Sequence, residues 1–388
     1  MDFCFTPEQL ALQDMAQTFA AKELRPRAAQ IDTQSLYDPT LLHLLGSLGF
    51  LSLNIPIAYG GAGISDLLSQ ALVIRELAKE CASTAEIVAI NTMVNDVLTA
   101  FGTQQQQEKY LSATADGALG AFAMTEPNAG SDAASIRTSA TFNGAGYELN
   151  GEKCFISNIG TQVGHHAIVF AVTDPQKGKA GISAFIVEHG TPGFCIGSPE
   201  NKMGIRAAIV SGVAFNHCQI PTENRIGNEG DGYAIAMYAL ERGRISMAAQ
   251  AVGISEAAIA KSAAYLSVRQ QFGAALERQQ GLQWYLAEMA TRTEAALALI
   301  YRACDAAERD LPLLKYSSMC KYFAAETAVY VTNKALQLHG GYGYMKDYPI
   351  ERLYRDARIT PIYEGTSEIQ KNLIAREIIR DLQKECRP

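Results

Sequence analysis

Hydrophobic spacing changes twice along the chain. From residue 5 to about 112, apolar positions recur at helical intervals, beginning with Leu10, Met15, Phe19 and Leu24. Thr6-Pro7-Glu8 reads as the first helix start. Threonine caps there, and proline takes the first helical position, where a missing N–H costs nothing. A second helix is predicted over 66–80, opened by Ser65 or Asp66, and a third over about 84–101, ended by Gly102. The loop Tyr59-Gly60-Gly61-Ala62-Gly63 breaks the pattern between helical stretches.

Near residue 120 the runs become short and β-like, and they stay so until about Asn228. Tyr147-Glu148-Leu149 and Cys154-Phe155-Ile156 flank Asn150-Gly151, a pair that predicts a hairpin turn. Ala167–Val172, Ile182–Val187 and Val210–Phe215 are further strand candidates, with Pro192, Pro199 and Pro221 between or beyond them. From Gly232 onward the chain is helical again, over about 232–266, 277–309, 313–339 and 367–384. Apolar residues cover more than one face of these helices. Ala248, Ala249, Ala251 and Gly253 permit close approach, which predicts a buried four-helix bundle. The expected fold class is multi-domain α+β: an N-terminal helical domain (1–120), a central β domain (121–231) and a C-terminal four-helix bundle (232–388).

The 388 residues are enough for several structural units, and 48% apolar with 19% charged residues is ordinary for a globular protein. A net charge of −7 argues against a nucleic-acid footprint and against docking on an anionic membrane. The cysteines, Cys4, Cys81, Cys154, Cys195, Cys218, Cys304, Cys320 and Cys386, show no Cys-x-x-Cys spacing and no nearby histidine at metal-ligand spacing. They read as free thiols in a reducing compartment. Met1-Asp2-Phe3-Cys4-Phe5 has neither the basic nor the long apolar region of a signal peptide. The longest uncharged stretch, Pro39 to Ser65, holds only about 13 truly apolar residues, where a membrane span needs about 20. The expectation is a cytoplasmic protein with no membrane span and no metal.

Five segments carry candidate chemistry. Phe122-Ala123-Met124-Thr125-Glu126-Pro127-Asn128-Ala129-Gly130-Ser131-Asp132 is an apolar strand running into a polar turn, either a plain loop or one that offers N–H groups and hydroxyls to a ligand. In Lys153-Cys154-Phe155-Ile156-Ser157-Asn158 an aromatic precedes a hydroxyl by two residues; the pair is ordinary strand core or the cover and edge contact of a flat ring. Arg269-Gln270-Gln271-Phe272-Gly273 is a polar loop between helices, or an Arg and an aromatic for a pyrophosphate and an adenine. In Gln337-Leu338-His339-Gly340-Gly341-Tyr342-Gly343-Tyr344, glycines after a helix admit a phosphate or simply cap the helix. A Rossmann Gly-x-Gly-x-x-Gly is not present, since the 341–346 stretch fails at Lys346. In Ile362-Tyr363-Glu364-Gly365-Thr366-Ser367-Glu368-Ile369-Gln370, Ser367 and Gln370 fit a capping box that opens the last helix. Glu364 lies in the turn just before it, as a solvated turn residue or as a carboxylate presented into a cleft.

In this order and at these separations, the segments resemble the acyl-CoA dehydrogenase family over essentially the whole chain, and most closely its short-chain, butyryl-CoA dehydrogenase-like branch. Lys202-Met203-Gly204-Ile205-Arg206, Glu241-Arg242-Gly243-Arg244 and Tyr348-Pro349-Ile350-Glu351-Arg352-Leu353-Tyr354-Arg355-Asp356 extend the match. The resemblance implies the same three-part fold, with a β-barrel-like middle domain, and FAD bound between that domain and the bundle. It places Phe122, Met124, Thr125, Ser131, Phe155, Ile156 and Ser157 along the flavin. It assigns Arg269, Phe272, Gln280, Gln337, Gly340 and Gly341 to the diphosphate and adenine end of FAD, reaching a neighbouring subunit, with Thr366, Ser367 and Glu368 as further contacts. Ser131, Glu241, Arg244 and Gly365 match substrate-contacting positions.

Glu364 matches the base that removes the α-proton. Some branches carry that base immediately before the arginine matching Arg244, where this chain has Gly243. The implied reaction is desaturation of an acyl-CoA thioester to the trans-2-enoyl-CoA, as in β-oxidation of fatty acids, with FAD taking the β-hydride. Electron-transferring flavoprotein is the implied acceptor and a homotetramer the implied assembly. Two alternatives share the fold: the same desaturation on a carrier-protein-tethered acyl or aminoacyl group, and an oxygen-using acyl-CoA oxidase. Ala207-Ala208-Ile209 and Phe215-Asn216-His217 depart from the family pattern, so hydrogen bonds near Arg206 are not carried over.

Overall fold

A computed structural model describes residues 4–385. The chain opens with α1 (Pro7–Phe19), α2 (Ala28–Gln34), α3 (Pro39–Ser47), α4 (Leu67–Glu80), α5 (Ala82–Phe101), and the short α6 (Gln104–Gln106) and α7 (Ser112–Ala115). Thr6 caps α1 in a reciprocal box with Gln9, and Asp66 caps α4 through Ser69 N. The helix expected from 84 begins at Ala82 and ends at the predicted Gly102. Of these helices α5 matters most. It is buried on nearly every side from Ala82 to Leu98, because the sheet lies against one flank and the bundle against the other. Buried amides tie it to the start of the sheet and to the turn at Leu51. Asn91 Nδ2 donates to Leu51 O while its Oδ1 accepts from Gly120 N, and Asn158 Nδ2 donates to Ile87 O and Gly120 O.

The middle unit is built from β1 (Leu119–Ala123), β2 (Ser139–Phe142), β3 (Gly146–Ser157), β4 (Gly164–Val172), β5 (Ile182–Glu188), β6 (Phe194–Pro199), β7 (Val210–Pro221) and β8 (Arg225–Ile226). They form one sheet in the order β6-β7-β3-β2-β4-β5-β8, with β1 added parallel to β4. The hairpin expected at Asn150-Gly151 is not there. β3 runs straight through that pair as one long strand, with a register shift between Leu149 and Gly151 where it faces β7. Gly151 marks a bulge: its φ is 142°, and a Cβ there would lie 2.7 Å from Thr138 Cα. The turn sits one Asn-Gly earlier, at Asn143-Gly144, where Asn143 Oδ1 accepts from Ala145 N and Gly146 N and joins β2 to β3. A bulge and a turn call for the same residue types.

The C-terminal unit contains α8 (Gly232–Val268), a tight hairpin of β9 (Gln270–Gln271) and β10 (Ala274–Ala275), α9 (Gln280–Glu308), α10 (Leu313–Leu338), α11 (Ile350–Ala357) and α12 (Ser367–Glu385). α10 packs against α8, α9 and α12, which completes the four-helix bundle. The last helix is capped differently from the sequence expectation. Thr366 Oγ1 accepts from Ile369 N, Ser367 Oγ donates to Glu326, and the Gln370 amide reaches back to carbonyls rather than to a cap N–H. Ion pairs between Arg75 and Glu256 and between Arg355 and Asp32 join the bundle to the N-terminal helices. Among the described residues no helix is long and apolar enough to cross a membrane, and no group of three or more His, Cys, Asp or Glu is placed to hold a metal. Seven cysteines are free thiols; Cys386 lies outside the described residues.

Lys153 is fully enclosed on β3. It donates to Glu126 Oε1 at 2.8 Å and to Met124 O at 3.2 Å, while Glu126 also accepts from Arg137 N and Thr138 N. This buried pair fixes the turn after β1. Replacing Lys153 by Met strands the carboxylate. The expected loss is roughly 3 kcal/mol of unfolding free energy, the low end for breaking a buried pair because two backbone donors remain. Urea titration checks it; a change below about 1 kcal/mol would show that the pair holds little.

Candidate active site

The turn between α11 and α12 puts two successive residues in the left-handed region, Glu364 at φ 54° and Gly365 at φ 91°. Glycine adopts this freely, whereas for glutamate it costs about 1–2 kcal/mol, so surrounding bonds must hold it. They do. Lys321 Nζ on α10 donates to Gly365 O at 2.7 Å, and Gln370 Nε2 on α12 donates to Glu364 O at 3.1 Å and Gly365 O at 2.9 Å. The Glu364 carbonyl is thereby pinned, and its side chain leaves the turn toward α8.

The carboxyl arrives at Gly243. A Cβ at that glycine would stand 3.0 Å from Glu364 Oε2 and 3.1 Å from Met93 Sδ of α5. Glu364 as a whole residue is half-buried, but Oε2 is enclosed and has no hydrogen-bond partner. Burial pushes its pKa up to about 7, against the pull of the Arg244 and Lys321 cations. Arg244, the next residue of α8, is 3% exposed, and its Nε and Nη1 also lack hydrogen-bond partners. Burial lowers Lys321 to about 8 although Glu364 favours its charged form. Glu241, one turn earlier on α8, is half-buried and raised by burial against the same Arg244. A carboxyl that ionises near neutrality, keeps a free oxygen and sits in apolar surroundings is suited to accept a proton from a weak carbon acid.

Several of the predicted β-domain residues come together at the end of β1. Cys154 N donates to Thr125 O at 2.9 Å, which lays the strand end Phe122–Thr125 alongside residues 153–157. Met124 and Ile156 are buried, Phe122, Thr125 and Ser157 are half-buried, and Ser131 is exposed. Phe155 adopts φ 59° at a register shift in β3 and is 68% exposed, so its ring stands out from the strand instead of joining the core. Met93, Met124 and Phe122 belong to one apolar cluster, which connects this wall to the floor beneath Gly243.

A second constellation forms at the far end of α8. Arg269, Gln337, Gly340 and Gly341 line a cavity of about 500 Å³, with Tyr265, His339 and Tyr342 as aromatic walls. The Arg269 guanidinium lies 5.3 Å from the Tyr342 ring centre, and nothing approaches the Cα of Gly340 or Gly341 where a Cβ would project. Phe272, at the tip of the β9–β10 hairpin, is 95% exposed, and Gln280 is exposed at the first turn of α9; neither lines the cavity. Near the Glu364 turn, Glu368 is exposed, while Thr366 and Ser367 are engaged in the capping bonds already described. The arginine, open glycines and aromatic walls at the far end of α8 fit an anionic phosphate group with a flat ring beside it.

Sequence reasoning missed Glu86. It lies on α5 two turns before Met93, is 5% exposed and lies beside Gln250 of α8. Burial and the Glu364 charge push it up to about 8. The signal was a single acid inside the otherwise uncharged run Ala82–Asn95, visible only to a reader who asks what a charge is doing in a buried helix.

Three domain families match successive parts of the chain: the acyl-CoA dehydrogenase N-terminal domain at residues 6–118, the middle domain at 121–218 and the C-terminal domain at 230–379. An acryloyl-CoA reductase (NADH) from Anaerotignum propionicum is 47% identical over 98% of this chain and 96% of its own. A chain from a structural study of the electron transferring flavoprotein of Acidaminococcus fermentans superposes with a TM-score of 0.95 at 42% identity, covering 98% of this chain and all of that one. Butyryl-CoA dehydrogenase from Megasphaera elsdenii superposes with a TM-score of 0.94 at 41% identity, with the same coverage.

The electrostatic balance at Glu364 predicts a protonated-carboxyl infrared band that titrates near pH 7 and is missing from Glu364→Gln. Lys321→Met should move that titration up by about 1 unit, since a neighbouring cation lowers a carboxyl by one to three. Difference infrared spectra across the pH range check it; an unmoved titration would mean that Lys321 acts only through its bond to Gly365.

Proposed function

This chain belongs to the acyl-CoA dehydrogenase family, and from that premise we propose Glu364 as the base that takes the α-proton of the substrate. The reaction is the α,β-dehydrogenation of an acyl-CoA thioester to the trans-2-enoyl-CoA, and the cofactor is FAD. One observation carries the assignment: the enclosed, unpartnered Oε2 of Glu364, ionising near 7 against a helix that has a glycine where any side chain would displace it.

A thioester α-proton is weakly acidic, and a water-exposed carboxylate is a feeble base for it. Burial raises the basicity of Glu364, while Arg244 and Lys321 keep enough of it ionised to work at neutral pH. In our reading the backbone N–H of Glu364 donates to the thioester oxygen and stabilises the charge that develops as the proton leaves. The wall of Phe122, Met124, Thr125, Phe155, Ile156 and Ser157 holds the flavin ring, and Ser131 borders both ring and substrate. FAD, when bound, supplies the acceptor for the hydride leaving the β-carbon. Met93 and Gly243 exclude water from the carboxyl. Glu241, Arg244 and Gly365 contact the substrate, and Thr366, Ser367 and Glu368 make further cofactor contacts.

Arg269, Gln280, Gln337, Gly340 and Gly341, with Phe272, would hold the diphosphate and adenine end of the FAD bound to a neighbouring subunit. The assembly in this reading is a homotetramer in the cytoplasm, with electron-transferring flavoprotein as the acceptor. The support is the anionic-group chemistry of a cavity open at the surface.

Anaerobic mixing with acyl-CoAs of graded length tests the base. Glu364→Gln should retain yellow flavin but bleach about 10²–10⁴-fold more slowly. In the wild type, kcat/KM should rise as pH passes upward through about 7, because the working form is the deprotonated carboxylate. Bleaching of the variant at the wild-type rate refutes the assignment. Arg269→Ala should lose flavin and tetramer together, by about tenfold in flavin affinity or more; full flavin occupancy in an intact tetramer refutes that part.

A further inference from the structure

The packed seam between α5 and α8, which begins beside Glu364, has a polar inner end. α5 and α8 pack side by side in opposite directions: Met93 meets Gly243 beside the base, while further in Ala82 O accepts from Gln250 Nε2. Glu86, Ile90 and Met93 fall on one face of α5, since positions three, four and seven apart align. Seven residues of helix rise about 10 Å, so Glu86 lies that far inward along α5 from the level of the base. Gln250 is the hub of the inner end. It donates to Ala82 O, accepts from the Tyr363 hydroxyl, and lies beside Glu86. Glu86 Oε2 remains enclosed with no hydrogen-bond partner.

An acyl pocket made for a plain hydrocarbon has no use for an unpaired buried carboxyl, which costs about 1–3 kcal/mol or more when left unsatisfied. Resting on the assignment of Glu364 as the base, we propose that Glu86 is a specificity-determining residue that hydrogen-bonds a neutral oxygen, a hydroxyl or carbonyl, at the distal end of the acyl chain. The charges facing Glu86 are Glu364 and Lys202, with the neutral Gln250 and Tyr363 beside it. Its carboxyl is raised to about 8, so at pH 7 it is mostly neutral and both donates and accepts. A cationic terminus is therefore not the match.

The test compares ω-hydroxyacyl-CoAs of graded length with the alkyl isosteres that carry methyl in place of hydroxyl, by anaerobic flavin bleaching with the holoenzyme. At one chain length the wild type should favour the hydroxyl by at least about tenfold in kcat/KM, because a site that bonds a hydroxyl discriminates against its absence. Glu86→Leu should remove or invert that ratio, and Glu86→Gln, which keeps a donor and an acceptor, should preserve most of it. A tie that is only structural would slow both substrate series in proportion and leave the ratio unchanged, which overturns the proposal. A wild-type preference for the alkyl series, or for ω-amino chains, overturns it as well while leaving Glu364 in place. If no thioester of any kind bleaches the flavin, the base assignment has failed and this inference falls with it.

Discussion

The site depends on a buried carboxylate that is costly to ionise but not prohibitively so. Removal from water would push an isolated Glu up by several units, and two cations, Arg244 and Lys321, bring it back to about 7 from a starting value of 4.5. The remaining rise of about 2.5 units corresponds to roughly 3 kcal/mol of differential interaction between protonated and ionised forms. The linkage has a definite sign. A carboxyl whose folded pKa exceeds its unfolded value favours the fold at low pH, and that contribution fades as pH climbs through the folded pKa. For Glu364 and Glu86 together, the window runs from about 4.5 to about 8. The protein thus gives up stability in the pH range where its base becomes competent, the usual exchange at a functional carboxyl.

Holding the carboxyl there requires all three structural units. The turn that carries it is braced by α10 and α12 through Lys321 and Gln370. Its apolar enclosure comes from α8 and α5, and α5 is placed by Asn91 and Asn158 against the sheet. The Lys153–Glu126 pair then fixes the end of β1 and holds Phe122 to Thr125 along residues 153–157. No single unit contains a site. This explains why charged contacts such as Arg355–Asp32 and Arg75–Glu256 occur where the units meet.

Much of this was legible in the sequence, for reasons that differ from residue to residue. Glu364-Gly365 ahead of a helix start is a local pattern, and local patterns survive folding; so do Thr6-Pro7 and Asp66. Asn150-Gly151 misled because bulge and turn share a composition, and the choice was made by β7, a partner more than sixty residues away. The capping of α12 misled in a similar way: Glu326, on another helix, takes the Ser367 hydroxyl, and Thr366 becomes the cap. Lys321, Met93, Gln250 and Glu86 carry no motif at all. They matter because helices distant in sequence bring Lys321 and Met93 to the carboxyl and Gln250 and Glu86 behind it, and periodicity reports only that such helices are buried.

Gly243 ties these strands together. In branches of the family where the base precedes the arginine matching Arg244, a carboxylate grows from this position on the bundle's first helix. Here the same small volume is filled from the other side, by Glu364 reaching across from its turn, with only 3.0 Å between its Oε2 and the point where a Cβ would begin. Two carboxylates in that space would repel, and one would stay protonated. The glycine is therefore the complement of the glutamate: the volume admits one acid, and whichever chain position provides it obliges the other to be small.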